Sequence, residues 1–342
     1  MNSQAGAKIE IREVSGKKAL KTFIRVPWAI YKDDPNWVPP LLMERKAALS
    51  SKHPFFLHAK WKAWVAFQDD KPVGRISAQI DELHQQRYNN KTGFFGLIEA
   101  PDNDAVFAAL FETAENWLRQ NGMRQIIGPF NLGINQEIGI LTDGFDTPPC
   151  VMTSHSPRYY STSIERCGYQ PAQELLAYEL DIHTYTTPST KQELIDRTAG
   201  RIKVRELNRK TMEADFEAMR DIFNDAWQDN WNFVPFTREE FTAVGKELLT
   251  VVPHNFLQIA ELDGEPAAFI AMLPDINMAI ADLNGRLLPF GWAKLLWRMK
   301  VRFPERCRVA LMGVRKKYQN TIFGPAMAFM VVDSVLGPGL SR

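Results

Sequence analysis

The chain has 342 residues, 45% hydrophobic and 24% charged, with a net charge of +1. That is the balance of an ordinary soluble globular protein with room for two domains, and it provides no global field to recruit nucleic acid or an anionic membrane. Cys150, Cys167 and Cys307 form no CxxC pair, the start lacks the apolar run of a signal peptide, and no apolar stretch is long enough to span a bilayer. A reduced, cytoplasmic protein without a disulfide framework or zinc site is expected.

Ile9–Val14 alternates apolar and charged residues, as a half-buried first strand does. Lys17–Tyr31 has helical spacing broken by Pro27, and Asp33–Leu41, with three prolines and Trp37, is a rigid aromatic turn. Trp64–Phe67 and Val73–Ile80 flank Gln68-Asp69-Asp70-Lys71 as a hairpin. Gly93–Ile98 reads as a strand, Ala105–Gln120 as a helix ending at Asn121-Gly122, and Gln125–Phe130 as a strand. Thr187–Gly200, with Pro188, Ser189, Thr190 and Gly200, reads as a linker. A strand then restarts at Ile202–Leu207, followed by a helix over Thr211–Trp227, a second aromatic turn at Asn230–Thr237, and a helix over Arg238–Val251. A second hairpin, a strand at Arg308–Val314 and a helix over Gly324–Leu336 complete the series.

The chain repeats itself. Ile9-Glu10-Ile11-Arg12-Glu13-Val14 returns as Ile202-Lys203-Val204-Arg205-Glu206-Leu207, and the hairpin turn at Asp69-Asp70 returns at Asp263-Gly264 in the same order. This marks a duplicated α+β unit with a central sheet flanked by helices. The expected division is 8–186, a linker at 187–201, and 202–342. A second copy as long as the first would run past Arg342, so the second unit is expected to be incomplete.

The order strand, helix, helix, strand, strand, strand, helix, strand resembles the GCN5-related N-acetyltransferase (GNAT) fold, here in tandem. In that family a loop after the fourth strand, of pattern Gln/Arg-x-x-Gly-x-Gly/Ala, opens a helix whose first amides and dipole bind the pyrophosphate of coenzyme A. Val314-Arg315-Lys316-Lys317-Tyr318-Gln319-Asn320-Thr321-Ile322-Phe323-Gly324-Pro325-Ala326 is similar to it, with Ile322 at the first glycine position. The resemblance implies acyl-CoA as donor, held by Met312, Val314, Lys316, Tyr318, Gln319, Asn320, Gly324, Pro325 and Ala326, with the thioester carbonyl near a main-chain N–H of Met312–Val314. The corresponding stretch in the first unit, Glu99-Ala100-Pro101-Asp102-Asn103-Asp104, is acidic and lacks glycine, which repels phosphate.

At finer scale the chain resembles a bacterial family of N-acetyltransferase-like proteins. The likeness rests on Pro27-Trp28, Tyr31, Asp34-Pro35, Trp37-Val38-Pro39-Pro40-Leu41, Gly93-Phe94-Phe95-Gly96, Gly128-Pro129-Phe130-Asn131, Asn230-Trp231, Phe233-Val234-Pro235 and Leu273-Pro274-Asp275 with Asn277. Bacterial ceramide synthases, which acylate a sphingoid amine from acyl-CoA, resemble the same group. The family continues past the motif helix, whereas Gly337-Pro338-Gly339-Leu340-Ser341-Arg342 reads as a helix-breaking tail.

Amine acylation needs a deprotonated amine and a polarised thioester carbonyl. Asp275, Asn277, Glu240 and Asn230 are the polar candidates for the acceptor side, with Trp231 and Glu239 beside them. Each has an alternative as a turn or helix-start residue. Asn131, Asn135 and Glu137 are candidates for a cleft between the units, and His155 reads as structural. No histidine pair has metal-ligand spacing, so no metal is expected. At 288–303, Leu288, Trp292, Leu295, Leu296, Met299 and Phe303 share a helical sector beside a stripe of Lys294, Arg298 and Arg302. This is either a surface for peripheral contact with the inner membrane or a helix packed on the sheet. The expected function is acyl-CoA-dependent N-acyl transfer to an amine, with a long-chain sphingoid-like amine as one acceptor. The alternative is a non-catalytic tandem-GNAT remnant or binding protein. Nucleic acid is not an expected partner.

Overall fold

In the computed structural model, which describes residues 8–182, 189–208 and 210–339, the chain divides into two units. One comprises Met1–Leu175 with Asn277–Leu296, the other Leu176–Ile276 with Trp297–Arg342. Residues 277–296 fall in the second domain by sequence and in the first unit by position. Three bonds inside the first unit hold that segment: Asn277 Nδ2 donates to Pro149 O at 2.9 Å, the Trp28 indole to Asn284 Oδ1 at 2.5 Å, and Leu42 N–H to Gly285 O at 3.0 Å.

The first unit opens with β1 (Ile9–Glu13), α1 (Gly16–Arg25) and α2 (Pro27–Ile30), and Pro27 starts the second of these helices. After α3 (Leu42–Ala48) come β2 (Ala59–Gln68) and β3 (Lys71–Asp81), a hairpin longer than its apolar core predicts. Asp69 and Asp70 both take positive φ, the tight turn that matches strand twist. Then follow α4 (Glu82–Tyr88), β4 (Thr92–Glu99), α5 (Asp104–Gln120), β5 (Gln125–Ile127) and α6 (Tyr160–Arg166). The sheet runs β1-β2-β3-β4-β5, antiparallel except for β4 with β5. β5 is shorter than predicted because Pro129 has no N–H for a ladder. The apolar stripe of α5 (Val106, Phe107, Leu110, Phe111, Ala114, Leu118) closes one core over Trp64, Ile76 and Phe95. Phe23, Phe55, Val65 and Leu97 form a second core.

The second unit contains α7 (Thr190–Asp196), a helix inside the stretch read as linker; residues 187 and 188 lie outside the described residues. Next come β6 (Ile202–Glu206), α8 (Met212–Trp227), α9 (Arg238–Val251), β7 (Leu257–Leu262) and β8 (Glu265–Pro274). The chain passes through α10 (Ile276–Ile280) and α11 (Gly291–Lys300), then β9 (Cys307–Val314), α12 (Lys316–Gln319) and α13 (Phe323–Gly339). The sheet is antiparallel, in the order β6-β7-β8-β9. Alternation along β8 serves two layers. Phe269 and Ala271 join the aromatic core of α8 and α9, and the neighbours of these two residues turn to the opposite face, that of α13. α13 runs to Gly339, through Gly337 and Pro338, instead of breaking there; Leu340–Arg342 lie outside the described residues. Buried Ala326, Met327, Val331 and Val335 hold that helix, and packing outweighs a breaker confined to its last turn.

Candidate functional site

In the second unit β9 is an edge strand: β8 pairs with one side and, among the described residues, no strand pairs with the other. Arg315 N–H donates to Ala267 O at 2.9 Å, so alternation turns the main chain of Met312 and Val314 to the open edge. There the Trp227 indole donates to Met312 O at 2.7 Å, and Gln319 Nε2 donates to Val314 O at 2.9 Å. Gly313 suits this place, because an added Cβ would lie 3.1 Å from the Phe269 ring and 3.3 Å from Ile222. Met312 and Val314 thus turn their main-chain groups to the side of β9 that no described strand pairs.

The loop that follows folds tightly on itself. Thr321 N–H donates to Tyr318 O at 3.0 Å, Gly324 N–H to Thr321 O at 3.3 Å, and Phe323 N–H to Thr321 Oγ1 at 3.2 Å. Gly324 is required by close approach: a Cβ would stand 2.5 Å from Tyr318 O and 2.9 Å from Gln319 O. Lys316, Lys317, Gln319, Asn320 and Pro325 are exposed, Tyr318 and Ile322 are half-buried, and Ala326 is buried under the helix start. Sequence reading missed two carboxylates here. Lys316 N–H donates to Asp225 Oδ2 at 2.7 Å, and its ammonium pairs with Asp229. The basic loop is therefore partly neutralised by the end of α8, a contact no local pattern announces.

The four acceptor-side candidates have separate partners. Asp275 is fully buried, its Oδ2 receiving Nε and a terminal nitrogen of Arg306 at 2.8 and 2.6 Å, and its N–H donates to Arg306 O at 2.8 Å. The pair ties the end of β8 to the start of β9. Glu240 completes a capping box at the start of α9: its N–H donates to Thr237 Oγ1 at 3.1 Å, and Thr237 N–H donates to Glu240 Oε2 at 3.2 Å. Asn230 is exposed in the aromatic turn, where its carbonyl accepts from Phe233 N–H at 3.1 Å. Asn277 lies in the first unit, bonded to Pro149.

In the first unit the equivalent opening, where β4 parts from β5, is filled by its own chain. Phe130 N–H donates to Phe95 O at 2.8 Å, and Leu97 N–H, turned by a φ of 48°, donates to Asn131 Oδ1 at 2.8 Å. Gly96 permits the crossing, since a Cβ there would sit 1.8 Å from Phe130 O. Asn131 Nδ2 donates to Glu137 Oε2 at 3.2 Å, and Glu137 accepts from Arg45 at 2.9 Å. Two of the three cleft candidates, Asn131 and Glu137, are thus engaged inside this unit. Burial opposes the charge of Glu137, but Arg45 and the bond from Asn131 prevail and hold its carboxyl below the ordinary value. Glu99, which takes a bond from Tyr160 at 2.8 Å, is instead pushed up by burial. The start of α5 is capped by Asn103, whose Oδ1 accepts from Ala105 N–H at 3.0 Å. Val106 N–H is shared between that oxygen and Asn103 O, so the second and third amides of the helix are already engaged.

His155, read as structural, has its Nε2 2.8 Å from Asp34 Oδ2, beside Tyr31 stacked on Trp37. The Trp–Tyr–Asp–Trp phrase is thereby a packed aromatic cluster. Among the described residues no three His, Cys, Asp or Glu side chains gather as metal ligands.

Each unit therefore has the element order expected of the GNAT fold: an antiparallel run of strands, helices between the first and second, and a helix after the fourth. No protein-family profile matches the chain. Protein YghO of Escherichia coli (strain K12) is 48% identical over 332 residues, 97% of this chain and 85% of that one. A bacterial ceramide synthase of Caulobacter vibrioides is 43% identical over 343 residues, 98% of this chain and 89% of that one. A solved tandem GNAT protein from the clavulanic acid biosynthesis pathway aligns with 96% of this chain and 86% of its own, at 9% identity and a TM-score of 0.49. The chain belongs to the family that includes Protein YghO and this bacterial ceramide synthase.

Proposed function

We propose that the chain transfers an acyl group from acyl-CoA to an amine, with the donor bound by the second unit and a long-chain, sphingoid-like amine as acceptor. The observation that carries this reading is the open edge of β9 leading directly into the Gly324 turn. A main-chain N–H at Met312 or Val314 would polarise the thioester carbonyl while the amine attacks and the thiolate leaves. Lys316, Lys317, Gln319 and Asn320, exposed around the turn, would meet the pyrophosphate, and Tyr318, Gly324, Pro325 and Ala326 would shape its seat. Asn230, with Trp231, is the acceptor-side contact. Asp275 and Glu240 serve by position, fixing β8 to β9 and starting α9, and Asn277 by anchoring the segment at Pro149. The lipid character of the acceptor is supported by the relative named for ceramide synthesis.

Thermal shift with acetyl-, hexanoyl- and palmitoyl-CoA tests the donor site. Stabilisation by at least one is expected, and no shift with any of the three overturns the reading. Replacing Lys316 and Lys317 by Ala should weaken CoA binding roughly ten-fold through lost charge-assisted contacts. A second reading, a binding protein without turnover, draws on Asp225 and Asp229 at Lys316 and on Ile322 in place of glycine. Mass spectrometry separates the two: an N-acylated product from a sphingoid amine and palmitoyl-CoA excludes it.

A further inference from the structure

The stretch from Arg286 to Pro304 carries Arg286, Lys294, Arg298, Lys300 and Arg302 and no acidic residue. Periodicity alone groups Leu288, Trp292, Leu295, Leu296, Met299 and Phe303 into one sector; the structure splits it and leaves Phe290, Trp297 and Val301 exposed beside it. Met299 is buried and Leu295 and Phe303 are half-buried, so α11 packs through this side. Trp292, Leu296 and Trp297 are instead about half exposed, at 51%, 52% and 50%. Leu288, Phe290 and Val301, just beyond the helix ends, are 77%, 78% and 70% exposed. Single exposed apolar residues need no explanation, but six large ones along one short segment do.

We propose that this face docks on the anionic surface of a lipid bilayer. Leu288, Phe290, Trp292, Leu296, Trp297 and Val301 enter the boundary between headgroups and acyl chains, and Arg286, Lys300 and Arg302 meet lipid phosphate. Charge decides the occupant. A second copy meeting this face symmetrically would set the same cations against themselves. The core of a protein interface is depleted in lysine, whereas a surface-lying helix combines tryptophan with a basic rim. Among the described residues no helix is long and apolar enough to cross a membrane, so the contact is one of surface docking.

The test is sedimentation of the full chain with vesicles of phosphatidylcholine alone, or with about a third phosphatidylglycerol. Binding to the anionic vesicles that weakens with added salt is expected. Changing Phe290, Trp292 and Trp297 together to Ser should lower partitioning at least about ten-fold, and Lys300→Gln with Arg302→Gln should weaken the anionic preference, Arg286 remaining. The thermal melting of both variants should match that of the parent, because these side chains are exposed. No pelleting with either vesicle, or pelleting unchanged by the triple variant, overturns the proposal. So does a dimer in sedimentation velocity that the triple variant dissolves, in the absence of vesicle binding. CoA thermal shift is read separately, so failure here leaves the donor-site reading standing, and the converse holds.

Discussion

At Glu137 burial and pairing oppose one another, and pairing wins. Its folded pKa lies below the ordinary 4.5, so the stabilisation is complete above that value and is lost as pH falls through the folded one. Glu137→Gln should therefore cost about 2 kcal/mol at neutral pH, measured as a lowered urea midpoint, and the gap to the parent should close progressively below pH 4.5. A gap that persists at acid pH would assign the effect to packing instead. Glu240 shows the same lesson for the candidate site. The Thr237-x-x-Glu240 spacing was legible as a cap as readily as an acceptor-side acid, and only the reciprocal bonds with Thr237 decide between them. Asp275 offered no such local clue, because Arg306 lies 31 residues on. Glu240→Ala should cost about 1 kcal/mol through the lost cap, seen as a lower melting temperature with CoA binding unchanged.

Elements were read mostly correctly, because their signals are local: hairpin turns, helical stripes and Pro27 all lie within a few residues of what they shape. What the elements do to one another was not legible. Gly324 stood out within a motif, whereas Gly96 was only part of a family phrase until Phe130 O was seen to pass where its Cβ would be. Gly324→Ala should cost about 1–3 kcal/mol by overpacking and abolish the acyl-CoA thermal shift. Gly96→Ala should be worse, because its Cβ would stand 1.8 Å from Phe130 O against 2.5 Å from Tyr318 O at Gly324, and should unfold the first unit at lower temperature, read by circular dichroism. The end of α13 failed for the complementary reason: local breakers were weighed without the buried side chains that hold the helix on the sheet.

Across the whole molecule the duplication does not set the boundary of a unit. Asn284, numbered within the second copy, completes the first unit by accepting from the Trp28 indole. Asn284→Ala should leave that N–H unpaired and cost about 1–2 kcal/mol. Amide exchange reports where: protection should fall in α2 and α3 and stay unchanged in β6–β9. Uniform loss across both sheets would contradict the discontinuous unit.

By itself the sequence determined the two α+β copies, the turn and cap chemistry, and the glycine-containing loop after β9. These depend on residues close along the chain, whose spacing is visible in one dimension. The tertiary structure alone decided that the opening in the first unit is filled by Asn131, that Asp225 and Asp229 meet the basic loop, and which side of α11 stays exposed. Each of these turns on partners brought together from distant segments, where burial and charge pairing, not periodicity, settle the outcome.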